Sequence, residues 1–449
     1  MIDGEPGKRY YSAAVLGVLL AVFALFDAWS YAGSQPGIDF YQFWVAAQVI
    51  AEPGTVDLYS VRAEREIGDR FHRKTSTLPA ESRQRRAASQ RPQLETYSTP
   101  FLYTMFRLVA SGDYDRDFRL YQFICIATTV VSIALLCRGL AFPFMFVPFA
   151  IIAFTVWFEP FKSDLRVGNV NQIQLGFLAV FLWVQSQSGI PYRHAVAGVV
   201  LGLAVMFKPN IILMLAFLGI VWLLNGRYRR LSLTIGGIAI GVVLSLIISS
   251  VSFGSADCWM EWQRKAWQLT TDSAIIPVVH GNFSLVQILD ELTGLRLAIP
   301  LLLLFSTITV VFLWKDRSRK TATTTSTALP EPMGDSGYRD ATLAAGAGIA
   351  MMLLVSQLAW MHYYLLLIPL ILYFLRPIDS AAAIGRPARR ARYFGPAVCI
   401  VLLSNLPLPT FAAVRSAFLI AAPVVLTAMV LFGMALRELS RDRYAPHSE

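Results

Sequence analysis

Apolar stretches close to membrane-crossing length recur along the chain, separated by polar segments in which the charges are concentrated. The first runs from Tyr11 to Trp29, and others lie near 118–138, 142–158, 172–188, 193–207, 210–225, 231–252, 298–314, 341–358, 363–376, 393–408 and 413–436. A helix rises 1.5 Å per residue, so about 20 residues cross the roughly 30 Å of bilayer hydrocarbon. The pattern predicts an all-α polytopic membrane protein of about twelve transmembrane or re-entrant helices. The short pieces 142–158 and 193–207, broken by Pro or Gly, are the re-entrant candidates, because irregular backbone at membrane depth survives only where protein or a cavity satisfies it. The first run follows Lys8 and Arg9, is longer than a signal-peptide core and lacks a small-residue cleavage site, so it is expected to be a retained signal anchor.

Composition removes the soluble alternatives. The 449 residues are 55% hydrophobic and only 15% charged, against about 25% charged in ordinary globular chains. The net charge of +10 fits cytoplasmic loops facing anionic lipid, and no nucleic-acid role is expected. Cys125, Cys137, Cys258 and Cys399 are scattered, without CxxC or Cys/His metal spacing, so neither a disulfide framework nor a zinc site is predicted. In Asp113-Tyr114-Asp115-Arg116-Asp117 the interleaved arginine favours a solvated helix start over a metal site.

Short loops retain Lys and Arg on the cytoplasmic side. Lys8/Arg9, Arg227–Arg230, Lys315–Lys320, Arg376–Arg392 and Arg437–Arg443 share one face when the span count is even, which makes both termini cytoplasmic. The nine basic residues from Arg62 to Arg91 then lie outside, in a connection of about 85 residues, where the rule fades. Outward stretches are 33–117, 159–171 and 253–297. A Thr/Pro/Gly-rich connector at 315–340 is read as flexible and cytoplasmic. The expected division is an N-terminal catalytic module, 1–254, of seven spans, and a C-terminal membrane module, 255–449, with the outer loop 255–297. The chain shows no internal repeat, which argues against an inverted-repeat transporter.

Polar chemistry gathers in those outward stretches. Asp39 follows the first span and precedes Phe40, Phe43 and Trp44, aromatic residues suited to lying along the bilayer surface. Its carboxylate either caps that helix or, partly desolvated, accepts a proton from a sugar hydroxyl. In 159–172, Lys162 and Arg166 are cations able to pair with a phosphate, while Asn169, Asn171 and Gln172 offer amides that orient hydroxyls; a solvated loop touching headgroups is the alternative. Lys208 stands between two spans with no acidic neighbour in sequence, so it marks a cavity or snorkels to the interface. Trp259, Trp262 and Trp267 suggest an interfacial helix. His280 to Ser284 faces the same compartment. His362, followed by Tyr363 and Tyr364 at another outer junction, is either structural or a hydrogen-bond donor to an anion.

In this order the segments resemble the polytopic glycosyltransferases of family 87, polyprenol-phosphate-mannose-type enzymes of the GT-C superfamily. The resemblance is carried by Asp39-Phe40-Tyr41, Asp57-Leu58-Tyr59, Tyr97-Ser98-Thr99-Pro100, Gly168-Asn169-Val170-Asn171 and Ala197-Gly198 through Gly202 to Lys208-Pro209. It continues in Asn282-Phe283-Ser284 and Trp360-Met361-His362, so it runs from about 37 to 376. It departs from the family's habit at Ser98-Thr99, where a second proline often stands, at Asn169, where a glutamine does, and in the basic insertion around 62–91.

The resemblance implies a GT-C-type bundle and an extracytoplasmic, inverting transfer of a hexose, mannose being the family's commonest theme. The donor is a polyprenyl-phosphate sugar and the acceptor a lipid or glycan. It implies catalytic roles for Asp39 and His362, and donor contacts from Tyr97, Lys162, Arg166, Asn169, Asn171, Gln172, Lys208, Asn282, Ser284 and Tyr363, with no metal or other cofactor. Three rivals are a lipid-linked-sugar flippase, which needs ionisable groups in mid-span, a polymerase of polyprenyl-diphosphate glycans, expected to use arginine pairs, and a scaffold, which leaves the polar rim unexplained.

Overall fold

A computed structural model describes residues 6–441 except 53, 55–56, 272–275, 322–334, 378–385 and 405–416. Among these residues the architecture is all-helical, with two isolated β-bridges and no named strand. The helices are α1 (Pro6–Ser34), α2 (Ile38–Ile50), α3 (Val61–Ser76), α4 (Arg83–Gln90), α5 (Pro100–Phe106), α6 (Tyr114–Gly139), α7 (Phe146–Ile152), α8 (Glu159–Val167), α9 (Asn171–Ser186) and α10 (Arg193–Phe207). They continue with α11 (Ile212–Leu224), α12 (Tyr228–Phe253), α13 (Asp257–Thr271), α14 (Leu285–Thr293), α15 (Ala298–Thr321), α16 (Asp335–Val355), α17 (Ile368–Leu375), α18 (Arg386–Leu402) and α19 (Ala417–Arg441). Most of the expected connector, 322–334, lies outside the described residues, as do the ends of the last two predicted spans, 405–408 and 413–416.

Among the described residues, five helices are long and apolar enough to cross a membrane, within α1, α6, α12, α16 and α19. Shorter apolar helices fill Phe146–Trp157, Arg193–Phe207, Pro209–Leu224, Ala298–Trp314 and Met361–Leu375. The apolar stretch of α16 is 89% buried whereas those of α1 and α12 are 22% buried, so α16 is central and the other two peripheral. Val15, Leu19, Phe23 and Phe26 on α1, and Ile240, Val243, Ile247 and Val251 on α12, form outward apolar faces of the kind that lipid covers. A single large core joins residues from Ala21 to Leu439, including α6, α9, α11, α16, α17 and α19. Helices α10 and α12 meet backbone to backbone through small residues, the usual way membrane helices come close without a hydrophobic driving force.

A second, aromatic core caps one end of the bundle. Here the structure corrects the expectation that Phe40, Phe43 and Trp44 lie along the bilayer surface: they are 0%, 7% and 1% exposed and pack with Phe71, Tyr103, Phe106, Tyr114, Phe118 and Tyr121. The long first loop folds into α2–α5 and covers them, because α3 turns Ala63, Ile67, Phe71 and Thr75 inward while most of its charges face out, Glu64 turning in to Thr96 and Lys265. The basic insertion is part of this cap. Arg83 and Arg86 donate to the carbonyls of Gly33 and Ser34, which the end of α1 leaves without intrahelical partners. Asp113 caps α6 as a helix start should, but Asp117 is buried, and the solvated reading fails for it: its carboxylate accepts from Trp44 Nε1, Ser111 N and Oγ, and Gly112 N. In α13, Trp267 is exposed, while Trp259 and Trp262 lean on the aromatic cap.

Candidate active site

The site is built where the start of α2, the turn between α8 and α9, the end of α10 and the 3₁₀ turn Met361–Leu367 meet at the capped end of the bundle. Two glycines permit this convergence. Gly37 enters α2 at φ 71°, and a Cβ there would lie 2.4 Å from the Phe118 ring. Gly168 ends α8 at φ 70°, and a Cβ there would lie 2.7 Å from that of Phe40. Both are left-handed and crowded, a combination only glycine supports. Helix α6 fixes the same turn from below: Tyr121 donates through its hydroxyl to the Asn169 carbonyl, and Gln122 Nε2 to the Leu165 carbonyl at 3.0 Å.

Asp39 does not cap α2, whose N-terminus makes no side-chain cap bond. Its Oδ2 accepts from Asn169 Nδ2 at 2.7 Å and its Oδ1 from Arg91 Nη2 at 3.2 Å. Asn169 Oδ1 accepts in turn from Lys208 Nζ at 2.9 Å, and the same ammonium donates to Asn171 Oδ1 at 2.8 Å. Asn171 Nδ2 donates to Asp164 Oδ1 at 2.8 Å, and Gln172 N to Asp164 Oδ2 at 3.4 Å. The third side of Lys208 is the face of Tyr363, 4.2 Å from its ring centre, a cation–π contact in a desolvated place. Two carboxylates are thus linked through two amides to one partly buried cation. Burial pushes the Asp164 carboxyl above the usual carboxylate range, opposed by the Asn171 hydrogen bond and the Lys208 charge.

His362 lies against this network, 5% exposed, stacked on Trp360 and edge-on to Tyr363 at 5.0 Å, within the field of Lys208 and Arg166. Its Nε2 is buried without a hydrogen-bond partner among the described residues. A buried polar nitrogen of that kind is costly unless something pairs with it.

The structure therefore brings together Asp39, Asn169, Asn171, Lys208, His362 and Tyr363. Gln172 joins through its backbone, while its side chain accepts from Thr129 at 3.1 Å. The remaining candidates stand apart. Arg166 is half exposed and pairs with Glu159 at 3.8 Å, in whose field Lys162 also lies. Tyr97 makes no hydrogen bond to the network among the described residues: it lies under Lys265 and beside Trp262, with Arg91 and Glu95 nearby. Asn282 is fully buried and its amide is committed to backbone: Nδ2 donates to the Ile276 and Gln357 carbonyls, and Oδ1 accepts from Ser284 N and Ala359 N. Ser284 caps α14. These two seat the segment 276–284 on the strand-like segment that leads into His362. Sequence reasoning missed Asp164 and Arg91. The first was one acid in a polar run and the second one of nine basic residues in an insertion, and only the fold shows which side chains they meet.

Fold and site define a polytopic membrane protein with a buried, charge-balanced cluster at one end of its bundle. The sequence model of glycosyltransferase family 87 matches residues 96–330, more than half of the chain, and the chain belongs to that family, one of GT-C type. It is accordingly an integral membrane glycosyltransferase. No curated protein and no solved structure matches it.

Proposed function

We propose that this glycosyltransferase moves a hexose, mannose in the first instance, from a polyprenyl-phosphate donor to a lipid or glycan acceptor on the extracytoplasmic face of the cell membrane. Both termini are then cytoplasmic, and the aromatic cap and the Asp39 network face outward. The observation that carries the reading is the pairing of Asp39 with Lys208 through one side chain, Asn169, at 2.7 and 2.9 Å. A carboxylate suited to accept a proton stands one amide away from a cation suited to an anionic leaving group.

In this mechanism Asp39 takes the proton of the acceptor hydroxyl as its oxygen bonds to the anomeric carbon. The bond from that carbon to the phosphate oxygen breaks on the opposite face, and its electron pair leaves with polyprenyl phosphate, inverting the configuration. General-base assistance is worth about 10²- to 10⁴-fold, and preorganised donors at the departing anion contribute comparably. Lys208 and the free Nε2 of His362 take the phosphate, with Arg166 at the outer margin. Asn169, Asn171, Gln172 and Tyr363 hold the cluster, and Lys162 and Tyr97 line the approaches. No metal or other cofactor is required, since Lys208 supplies the buried positive charge.

The test is Asp39→Asn in proteoliposomes supplied with synthetic polyprenyl-phosphomannose and membrane lipid extract as acceptor. Transfer is expected to vanish while donor binding and fold persist; retained turnover overturns the assignment of the base. Labelling of a cysteine introduced near 165 only from the cytoplasmic side overturns the orientation.

A further inference from the structure

Asp39 has two unequal oxygens. Oδ2 is turned inward to Asn169, while Oδ1 faces the rim and accepts from Arg91 Nη2 at 3.2 Å. The side chains of Asp39 and Arg91 are 16% and 28% exposed, so the pair is screened but not fully solvated. Arg91 sits just past the end of α4 in a non-helical conformation, its amide tied to the Ala88 carbonyl. Its other terminal nitrogen, Nη1, pairs with Glu95 Oε2 at 3.2 Å. One guanidinium is therefore shared between Asp39 and Glu95. A planar fork of this kind fixes orientation in a way that an ammonium does not.

We propose that Arg91 is a positioning residue for transfer: it holds the rim-side oxygen of Asp39 toward the arriving acceptor, and Glu95 fixes the orientation of the guanidinium that does so. The proposal rests on Asp39 being the base. The rim oxygen carries one hydrogen bond and keeps a lone pair for the acceptor's hydroxyl proton. The basic insertion thereby acquires a role in the chemistry, because its last arginine reaches the base while Arg83 and Arg86 anchor the insertion to the end of α1.

The charged and titratable groups around Asp39 are Arg91 and Glu95 beyond α4, Asp164 on α8, Lys208 after α10, Tyr121 on α6 and Tyr363 in the 3₁₀ turn. Arg91 is the cation that touches Asp39 directly, Lys208 acting through Asn169.

The experiment separates kcat from KM in proteoliposomes supplied with synthetic polyprenyl-phosphomannose and membrane lipid extract. Arg91→Met is expected to lower kcat about tenfold or more while leaving the donor KM within about twofold and the unfolding temperature near wild type. Arg91→Lys keeps the charge but loses the planar fork, so it should not restore kcat. Glu95→Gln, at a site whose side chain is 41% exposed, should lower kcat in the same direction by a smaller factor. A wild-type kcat in Arg91→Met, or full rescue by Arg91→Lys, overturns the proposal. If Asp39→Asn still transfers sugar, the reading of the base fails instead; if it is inactive while Arg91→Met behaves as wild type, only the role of Arg91 fails.

Discussion

Asn169 Nδ2 donates to Asp39 Oδ2 at 2.7 Å across 130 residues of sequence, and that hydrogen bond joins the start of α2 to the turn between α8 and α9. The same amide accepts from Lys208, so among the described residues it is the side chain bonded to both the proposed base and the partly buried cation. Asn169→Leu keeps approximate size and removes both bonds. A hydrogen bond to a charged group contributes about 1.5–3 kcal/mol, equivalent to roughly 10- to 100-fold in rate. The expected result is a fall in kcat of that order with the protein still folded in detergent, checked by steady-state transfer beside a thermal-unfolding scan. An unchanged kcat argues that Asp39 is held without Asn169.

The Lys208 and Asp164 pair gives a pH signature. Burial raises the Asp164 carboxyl, so its contribution to stability is fully present below the ordinary carboxylate pKa and is lost as pH rises toward neutral. Lys208→Met removes the cation that opposes this loss. At pH 8 it leaves a buried carboxylate unpaired, at a cost of about 3–5 kcal/mol; near pH 5 the carboxyl takes up a proton and the cost shrinks. Thermal unfolding of Lys208→Met across that range should show destabilisation that grows with pH, and adding Asp164→Asn should flatten it. A pH-independent deficit in Lys208→Met removes Asp164 as its cause.

Much of this arrangement was legible before any coordinates. Asp39, Asn169, Asn171 and Lys208 stand out because a polar residue beside an apolar span is expensive and has few uses, and the structure gathers all four in one network. What stayed hidden depends on long-range packing. Arg91 belongs to a run of nine basic residues, and charge density alone does not distinguish the one that turns inward. The aromatic residues of α2 have the composition of an interfacial belt, and they became core because α3–α6 fold over them, a consequence of amphipathic α3 that becomes visible only once its partner surface is known. Asn282 entered as a donor contact only through the resemblance, and an amide serves backbone and ligand equally well.

That last ambiguity separates Asn282 from His362 experimentally. Asn282 makes four hydrogen bonds to backbone groups, each worth about 1 kcal/mol net and more where the abandoned partner is buried. Asn282→Ala should therefore lower the unfolding temperature and total active protein, with the donor KM of the folded fraction near wild type. His362→Ala removes an imidazole whose Nε2 has no partner among the described residues; it should lower stability through the lost packing of one buried ring and also raise the donor KM of the folded fraction about tenfold, the loss of one charge-assisted hydrogen bond. Titrating polyprenyl-phosphomannose against both variants checks the contrast, and an unchanged KM in His362→Ala rejects its contact with the phosphate.

Gly168 tests whether geometry or mere presence of the polar groups matters, because changing it deletes no functional atom. Alanine at φ 70° carries a left-handed cost of roughly 1–2 kcal/mol. Its Cβ would also arrive 2.7 Å from the Phe40 Cβ, inside a packed aromatic cluster where neighbours cannot recede cheaply. The least costly relief is for the 168–170 turn to back away from the start of α2, which lengthens the bond from Asn169 to Asp39. Gly168→Ala should therefore lose activity out of proportion to stability: a modest drop in unfolding temperature, a fall in kcat approaching that of Asn169→Leu, and little added effect when the two substitutions are combined, since both act on one hydrogen bond. Full additivity of the two losses in kcat places the effect of Gly168 elsewhere than on Asp39.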